Sequence, residues 1–151
     1  MENKRLYGRI CYLQRQMSRE NNYMFSEYGI TPIQMHVLIF VHKSVNEGKS
    51  VCQKDIEKYI NLRASSVSSL VGTLEKTGLI MRTVSEGDAR TKFVTLTEKG
   101  TDVCIKNKLL MEKCDALVQS ALTDEEQEIF NSLLNKILAE IQKQEKEVKN
   151  D

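Results

Sequence analysis

The chain has 151 residues, a length that predicts one domain over residues 1–151 with a hydrophobic core. With 28% charged residues, one proline, no tryptophan and no apolar run near the roughly 18 residues of a membrane span, the composition indicates a helix-rich soluble protein. The net charge of +1 argues against a strongly basic nucleic-acid binder. Because the N-terminus has no apolar signal core, we expect a cytoplasmic location.

The first predicted helix carries one apolar stripe at alternating steps of three and four residues, with one polar break near Glu20, and this pattern is typical of a coiled-coil helix. The second helix begins at Thr31-Pro32, where Thr31 is a natural N-cap and Gln34 completes a capping box. Its body, residues 35–42, is apolar nearly all round and is predicted to be buried. The stripe of the first helix consists of Leu6, Ile10, Leu13, Met17, Met24 and Tyr28.

Two short helices are predicted next, over residues 51–60 and from Ala64 to Thr77, with a turn at residues 61–63. On a helical wheel the second of them places four apolar side chains on one side, which predicts a buried face. Its other side carries short hydroxyl side chains, which can contact phosphates or base edges or can simply solvate an exposed helix. The predicted buried residues are Val67, Leu70, Val71 and Leu74, and the candidate DNA contacts are Ser65, Ser66, Ser68, Ser69 and Thr73.

A β-hairpin follows, with predicted strands over residues 79–84 and 91–96 that are rich in β-branched and apolar residues. Residues 85–88 between them, Ser-Glu-Gly-Asp, have turn chemistry, since glycine tolerates a positive φ and aspartate can bond its own backbone. Arg90 lies near the tip with Asp88 two residues away. A carboxylate can therefore orient a guanidinium that probes a narrow DNA groove.

Two more helices are predicted after Gly100, and a capping box at residues 123–126 begins the last of them. Residues 1–48 hold six basic and four acidic side chains, residues 49–100 hold nine and six, and residues 101–151 hold seven and eleven. The positive charge thus lies on the segment with the hairpin, which favours modestly electrostatic DNA binding. The apolar stripe of the last helix consists of Phe130, Leu133, Leu134, Ile137, Leu138 and Ile141.

Three segments together resemble the multiple-antibiotic-resistance regulator (MarR) family of winged helix-turn-helix transcription regulators. They are Leu74-Glu-Lys-Thr-Gly-Leu-Ile80, Asp88-x-Arg90 and Leu96-Thr97-x-x-Gly100. The resemblance implies a mostly α fold with a small β-hairpin wing. It further implies a winged helix-turn-helix DNA-binding lobe over residues 31–100, with dimerisation helices in residues 1–30 and 101–151.

The function implied by the resemblance is a homodimeric repressor that leaves a palindromic operator in double-stranded DNA when a small-molecule effector binds. In this reading Arg90 enters the minor groove while Asp88 holds its guanidinium, and Arg82 and Lys92 contact phosphates. The alternative is that Asp88 and Arg90 form only a surface salt bridge that stabilises the hairpin. An exposed pair of this kind contributes about 1 kcal/mol or less, so the alternative explains little.

The DNA-reading helix departs from the pattern of many relatives, because Ser69 and Thr73 occupy positions where those relatives carry arginines. Arg63 precedes the helix in place of a capping serine or threonine, so the N-cap hydrogen bond is lost. Either specificity rests more on the wing and on DNA shape, or affinity is modest. A rival hypothesis is therefore a winged-helix interaction module that has lost its DNA affinity.

Two classes of effector fit the sequence. A small aromatic ligand suits the apolar segment of residues 35–41, which is bordered by His36, His42 and three aromatic side chains of the first helix. A peroxide would act through Cys11, whose surroundings resemble the first helix of the organic-hydroperoxide repressors, although Met35 stands where those proteins are expected to carry an activating tyrosine. We expect the aromatic ligand. The aromatic side chains are Tyr12, Tyr23 and Phe25.

Metal sites, cofactors and catalytic centres are not predicted. The four cysteines include no close pair such as Cys-x-x-Cys, so neither structural zinc nor a disulfide framework is expected, and reduced thiols fit a cytoplasmic protein. His36 and His42 do not share a helical face, which argues against a shared metal ion. The sequence has no Gly-rich phosphate loop, Ser/His/Asp arrangement or His-Glu-x-x-His, so we predict that the chain is not an enzyme.

Overall fold

The computed structural model describes residues 5–84 and 92–150. In these residues a β-hairpin lies between the fifth and sixth helices, and the predicted mostly α fold with a small hairpin is confirmed. No helix in these two ranges is long and apolar enough to cross a membrane. The elements are α1 (Leu6–Met17), α2 (Arg19–Tyr28), α3 (Pro32–Asn46), α4 (Gln53–Ile60), α5 (Ala64–Lys76), β1 (Ile80–Val84), β2 (Lys92–Leu96), α6 (Glu98–Ala121) and α7 (Asp124–Asn150).

The first predicted helix is two helices in the structure, separated at Ser18 (φ −85°, ψ 2°). The break falls at the start of a run of serine, arginine, glutamate and asparagine, whose shorter polar side chains compete with the helical backbone for hydrogen bonds. The prediction of one continuous helix was therefore wrong. Its apolar stripe is also divided, because Leu6 and Leu13 of α1 are exposed whereas Met24 of α2 is buried.

The junction of α2 and α3 follows the predicted capping chemistry. α2 ends at Gly29, whose φ of 61° gives a left-handed C-cap. The Gln34 N–H donates to Thr31 Oγ1 at 3.4 Å and the Thr31 N–H donates to Gln34 Oε1 at 2.8 Å, which confirms the capping box. α3 is buried on one side only, since His36 and Ile39 are exposed. Its buried apolar residues are Met35, Val37, Leu38 and Val41.

The hairpin is joined to the chain just before α4. The Val94 N–H of β2 donates to the Val51 carbonyl at 2.7 Å, and the backbone of Cys52 forms an isolated antiparallel β-bridge with that of Phe93. A ladder contact of this kind requires extended backbone at residues 51–52. α4 therefore begins at Gln53, two residues later than predicted.

One apolar core joins α2, α3, α4, α5, the hairpin and the beginning of α6. Cys104 of α6 lies in this core, and burial raises the pKa of its thiol to about 11. Lys106, two residues after Cys104, donates to the Tyr28 hydroxyl and holds its ammonium 5.0 Å from the centre of the Tyr28 ring. The first part of α6 is thus fixed to α2. None of the four cysteines, all within the described ranges, forms a disulfide.

The chain divides into two compact units between Leu110 and Met111, within α6. In the second unit, α7 begins with the predicted capping box: the Glu126 N–H donates to Thr123 Oγ1 at 3.3 Å, and the Thr123 N–H donates to Glu126 Oε2 at 2.9 Å. All six residues of the predicted α7 stripe are exposed, from 37% for Phe130 to 53% for Leu138. α7 therefore presents a long apolar face that is exposed.

Candidate nucleic-acid interface

The two faces of α5 separate as the helical wheel predicted. Val67, Leu70, Val71 and Leu74 are all buried. The opposite side, with the five hydroxyl residues Ser65, Ser66, Ser68, Ser69 and Thr73, is exposed. We call these five residues the hydroxyl face. It offers small donors and acceptors on a helix whose other side is fixed in the core.

Thr73 is held in place by its own helix. Its hydroxyl donates to the Ser69 carbonyl at 3.0 Å, and the Thr77 hydroxyl makes the same kind of bond to the Thr73 carbonyl at 3.1 Å. A threonine hydroxyl that bonds the carbonyl four residues back is restricted in χ1. The Thr73 methyl group is consequently directed by the backbone of α5.

The beginning of α5 has the unusual cap that the sequence predicted. Arg63 is the N-cap residue and makes no side-chain cap hydrogen bond. The turn from α4 is formed by Asn61, which has a left-handed φ of 52° that asparagine tolerates better than most residues. Gln53 of α4 donates to the Ala64 carbonyl at 3.5 Å and so links the two helices of the helix-turn-helix.

The segment that follows the hairpin is hydrogen-bonded to the residues directly after α5. Thr97 donates from its N–H to the Leu79 carbonyl at 3.1 Å and from its hydroxyl to the Gly78 carbonyl at 2.6 Å. Lys99 Nζ donates to the Thr77 carbonyl at 2.9 Å. The accepting carbonyls belong to Thr77, the C-cap residue of α5, and to the two residues after it, so these bonds satisfy acceptors that would otherwise need water. They also fix the start of α6 against the end of α5.

Gly100 allows this contact to be close. A Cβ atom on Gly100 would fall well inside van der Waals distance of the Leu79 carbonyl oxygen, 3.0 Å from its carbon and 3.3 Å from Leu96 Cδ2. Thr97 also accepts a hydrogen bond from the Gly100 N–H at 3.1 Å and acts as the N-cap of α6. The Leu-Thr-x-x-Gly motif therefore joins α5, the hairpin and α6.

Arg82, predicted to contact a phosphate, bonds to the protein in the structure. Its Nε donates to Glu75 Oε2 at 2.9 Å and its Nη2 donates to the same oxygen. This pairing lowers the pKa of the Glu75 carboxyl, chiefly through the hydrogen bond from Arg82, and the charge of Lys92 lowers it further. Lys92 itself is exposed at the beginning of β2. Asp88 and Arg90 lie outside the described residues.

Cys11 is exposed on α1, one helical turn after Tyr7. A hydrogen bond with the Cys11 side chain raises the pKa of the Tyr7 phenol. Met35, which stands where an activating tyrosine was expected, is buried in the core. The sequence did not indicate Tyr7 as the neighbour of the thiol, although the spacing of four residues in a helix brings such side chains together.

Residues 35–41, which were expected to bind a small aromatic ligand, contribute Ile39 and Phe40 to a hollow of about 560 Å³ between α3 and α4. Tyr59 of α4 is another of its lining residues. The rings of Phe40 and Tyr59 stack with centroids 4.3 Å apart. Tyr12 lines a separate groove of about 910 Å³ along α1. In the described residues no three His, Cys, Asp or Glu side chains are grouped closely enough to hold a metal ion.

Comparison with known proteins supports the same reading of the fold. The sequence profile of the MarR family matches residues 28–91, which include α3, α4, α5 and β1. The chain is 31% identical over 140 residues to the HTH-type transcriptional regulator MgrA of Staphylococcus aureus, with 88% of this chain and 90% of MgrA covered. The chain belongs to the MarR family.

Two solved MarR-type structures have a similar fold. The MepR–DNA complex of S. aureus has a TM-score of 0.71 and 26% identity, with 90% of this chain and 97% of that chain covered. The haem sensor PefR of Streptococcus agalactiae, in complex with haem, has a TM-score of 0.66 and 26% identity, with 91% and 92% covered. As a MarR-family member, the chain is a winged helix-turn-helix, DNA-binding transcription regulator and not an enzyme.

Proposed function

We propose that the chain is a homodimeric repressor that binds a palindromic operator through the hydroxyl face of α5 and the hairpin wing. The observation that carries this proposal is the exposed hydroxyl face on a helix whose opposite side is completely buried. Its end is fixed to the hairpin region by Thr97, so helix and wing can meet DNA together. MepR, with a similar fold, has been solved with DNA.

The proposed DNA contacts are those expected from the sequence. The hydroxyl face would contact bases or phosphates in the major groove, and Arg90, oriented by Asp88, would enter the minor groove. Lys92, exposed at the beginning of β2, would contact a phosphate. The DNA-binding lobe is proposed to span residues 31–100, with dimerisation helices in residues 1–30 and 101–151.

Selection of a duplex from a random-sequence pool tests operator recognition directly. We expect the wild-type protein to enrich a two-fold symmetric sequence and to bind it at least about a thousandfold more tightly than a shuffled duplex at physiological salt, the lower end of specific recognition. Anisotropy titrations at two salt concentrations would measure the ratio. Failure to enrich any sequence, with weak and equal binding to all duplexes, would instead favour the rival interaction module.

Dimerisation is proposed because the terminal helices present apolar faces to solvent. Leu6, Ile10 and Leu13 are at least 46% exposed on α1, and the α7 stripe is exposed along its length. Stripes of this length are typical of helices that pack against partners. A two-fold dimer would also place two α5 helices on half-sites about 34 Å apart.

Light scattering during size-exclusion chromatography should give twice the monomer mass of 17.3 kDa for the wild type at micromolar concentration. Ile137→Glu places a charge on the exposed stripe of α7 and should yield a monomer, because an unpaired buried charge opposes association strongly. Ser132→Glu, off the stripe on the same helix, is the matched control and should stay dimeric. A wild type that runs as a monomer would contradict this proposal.

An effector is proposed to release the protein from DNA. PefR has been solved with haem, and the hollow beside Phe40 and Tyr59 combines these aromatic rings with charged side chains such as Lys43 and Lys49, which suits a small aromatic acid. A peroxide acting through Cys11 is the second candidate, which the exposed thiol and its hydrogen bond with Tyr7 favour. We rank the aromatic ligand first, since buried Met35 takes the place of an activating tyrosine.

Cys11→Ser separates the two effector classes. If our ranking is right, a phenolic acid should displace both wild type and Cys11→Ser from the selected duplex, while cumene hydroperoxide should leave both bound. Anisotropy competition at fixed protein concentration would measure release. Loss of peroxide-induced release in Cys11→Ser alone would show that the thiol is the sensor and that our ranking is wrong.

A further inference from the structure

Among the described residues, α5, the proposed recognition helix, and strand β1 of the wing are connected by an ion pair between Glu75 and Arg82. Arg82 of β1 donates two hydrogen bonds to a single carboxylate oxygen of Glu75, which lies near the end of α5. The Nε to Oε2 distance is 2.9 Å. Both side chains are partly shielded, with 26% of Arg82 and 38% of Glu75 exposed, so the pair is less screened by water than a fully exposed one.

The strand register explains why Arg82 meets the helix. Arg82 pairs with Val94, and Ile80 two residues earlier pairs with Leu96. Side chains two apart on a strand share a face, so Arg82 lies on the same face as buried Ile80 and buried Val94. This face packs against α5, and Arg82 therefore occupies a position that points towards the helix.

A carboxylate beside a DNA-reading helix opposes binding to phosphates. Glu75 lies between buried Leu74 and exposed Lys76, only two residues after Thr73 of the hydroxyl face. Coulomb repulsion alone predicts that removing this carboxylate would strengthen binding to any duplex. If Glu75 holds the wing at the correct angle, however, its removal should weaken binding to the operator. The sign of the effect thus separates the two roles.

We propose that Glu75 and Arg82 form a positioning pair, in which the carboxylate of the recognition helix fixes the orientation of the wing for simultaneous contact with both DNA grooves. Arg82 then contributes to operator affinity through Glu75 and not through a phosphate. The planar guanidinium suits this role, since its fork geometry fixes direction where a lysine would give only a point charge. This inference rests on the operator binding proposed above.

Glu75→Ala tests the sign of the effect. We expect affinity for the selected duplex to fall about tenfold, within the range of coupled contacts, while affinity for the shuffled duplex stays level or rises. Glu47→Ala is the matched control, because Glu47 pairs with Lys49 at 2.6 Å outside the hairpin and its loss changes the net charge equally. It should leave the ratio of the two affinities unchanged. Stronger binding of Glu75→Ala to both duplexes would overturn the proposal.

Arg82→Ala and the double variant complete a thermodynamic cycle. A phosphate contact would lower the slope of log K against log [salt] by about 0.9 on the shuffled duplex, whereas a positioning residue leaves that slope unchanged. The double variant should bind the selected duplex no more weakly than the weaker single variant. Additive effects, or a reduced slope for Arg82→Ala, would overturn the proposal.

Thermal unfolding of each variant shows whether its change in duplex affinity arises from loss of the fold. If Arg82→Ala is unfolded at the assay temperature, Arg82→Lys replaces it. Lysine keeps the positive charge but lacks the planar fork of the guanidinium, so Arg82→Lys should also lose discrimination between the two duplexes. Full wild-type discrimination would contradict the positioning role.

If the wild type selects no duplex, the proposed function and this inference both fail. If the wild type selects a duplex and Glu75→Ala retains the same discrimination, only this inference fails.

Discussion

Gly100→Ala is expected to destabilise the unit that contains α5 by roughly 1–3 kcal/mol, the typical range of overpacking with backbone displacement. The added methyl group would overlap the Leu79 carbonyl oxygen, a backbone atom that also accepts the N–H of Thr97. Relief of the overlap would have to move α6 away from the end of α5. The hydrogen bonds of Thr97 and Lys99 to that end would weaken together.

Urea unfolding followed by circular dichroism would measure this change. Gly72→Ala provides the control, because Gly72 lies inside α5 and nothing comes within 4 Å of a Cβ atom built there. A helical glycine with free space should gain about 0.5–1 kcal/mol on substitution by alanine. The two glycines should therefore respond with opposite signs. Equal changes in the free energy of unfolding of the two variants would contradict the close contact at Gly100.

Arg90→Ala is expected to weaken binding to the selected duplex by roughly 1–3 kcal/mol, the range for a base-edge or groove contact. The expectation comes from the Asp88-x-Arg90 motif of the sequence, as both residues lie outside the described part of the structure. An arginine in a narrow minor groove gains from the concentrated negative potential there. The fold should be unaffected, because the substitution is at the predicted hairpin tip.

Anisotropy titrations over a range of salt would separate the groove contact from general charge. Loss of one cationic contact should reduce the salt slope by about 1. Lys136→Ala, an exposed position on α7, removes the same charge from the second unit and should change neither the affinity nor the slope appreciably. Wild-type affinity in Arg90→Ala would remove the wing tip from the proposed mechanism.

The features that the sequence predicted well are those encoded over a few neighbouring residues. The buried face of α5 follows from a helical period, and the capping boxes at Thr31 and Thr123 each need only four residues. The end of α1 at Ser18 was missed because the apolar spacing resumes at Met24, after the polar break near Glu20. A stripe of correct spacing can run through two helices as well as one.

Other features were missed because they depend on partners distant in the chain. The extended contact of Val51 is made with Val94, forty-three residues away, and nothing local distinguishes it from the first turn of a helix. Glu75 was not singled out at all, and Arg82 was predicted to contact a DNA phosphate. Only the packing of β1 against α5 brings the two side chains together. A strand register combined with the helical wheel could have suggested the pair.

The hydrogen bond from Thr73 to the Ser69 carbonyl has a consequence for the thermodynamics of recognition. Many family members are expected to carry a long arginine at such a position, and immobilising a flexible side chain at an interface costs about 0.5–1.5 kcal/mol in conformational entropy. Thr73 is already restricted in χ1 by its own helix. As a proposed base contact, Thr73 would offer its methyl group without a comparable loss of conformational entropy. A short side chain can therefore recover part of the binding free energy that arginine hydrogen bonds to guanine would have contributed.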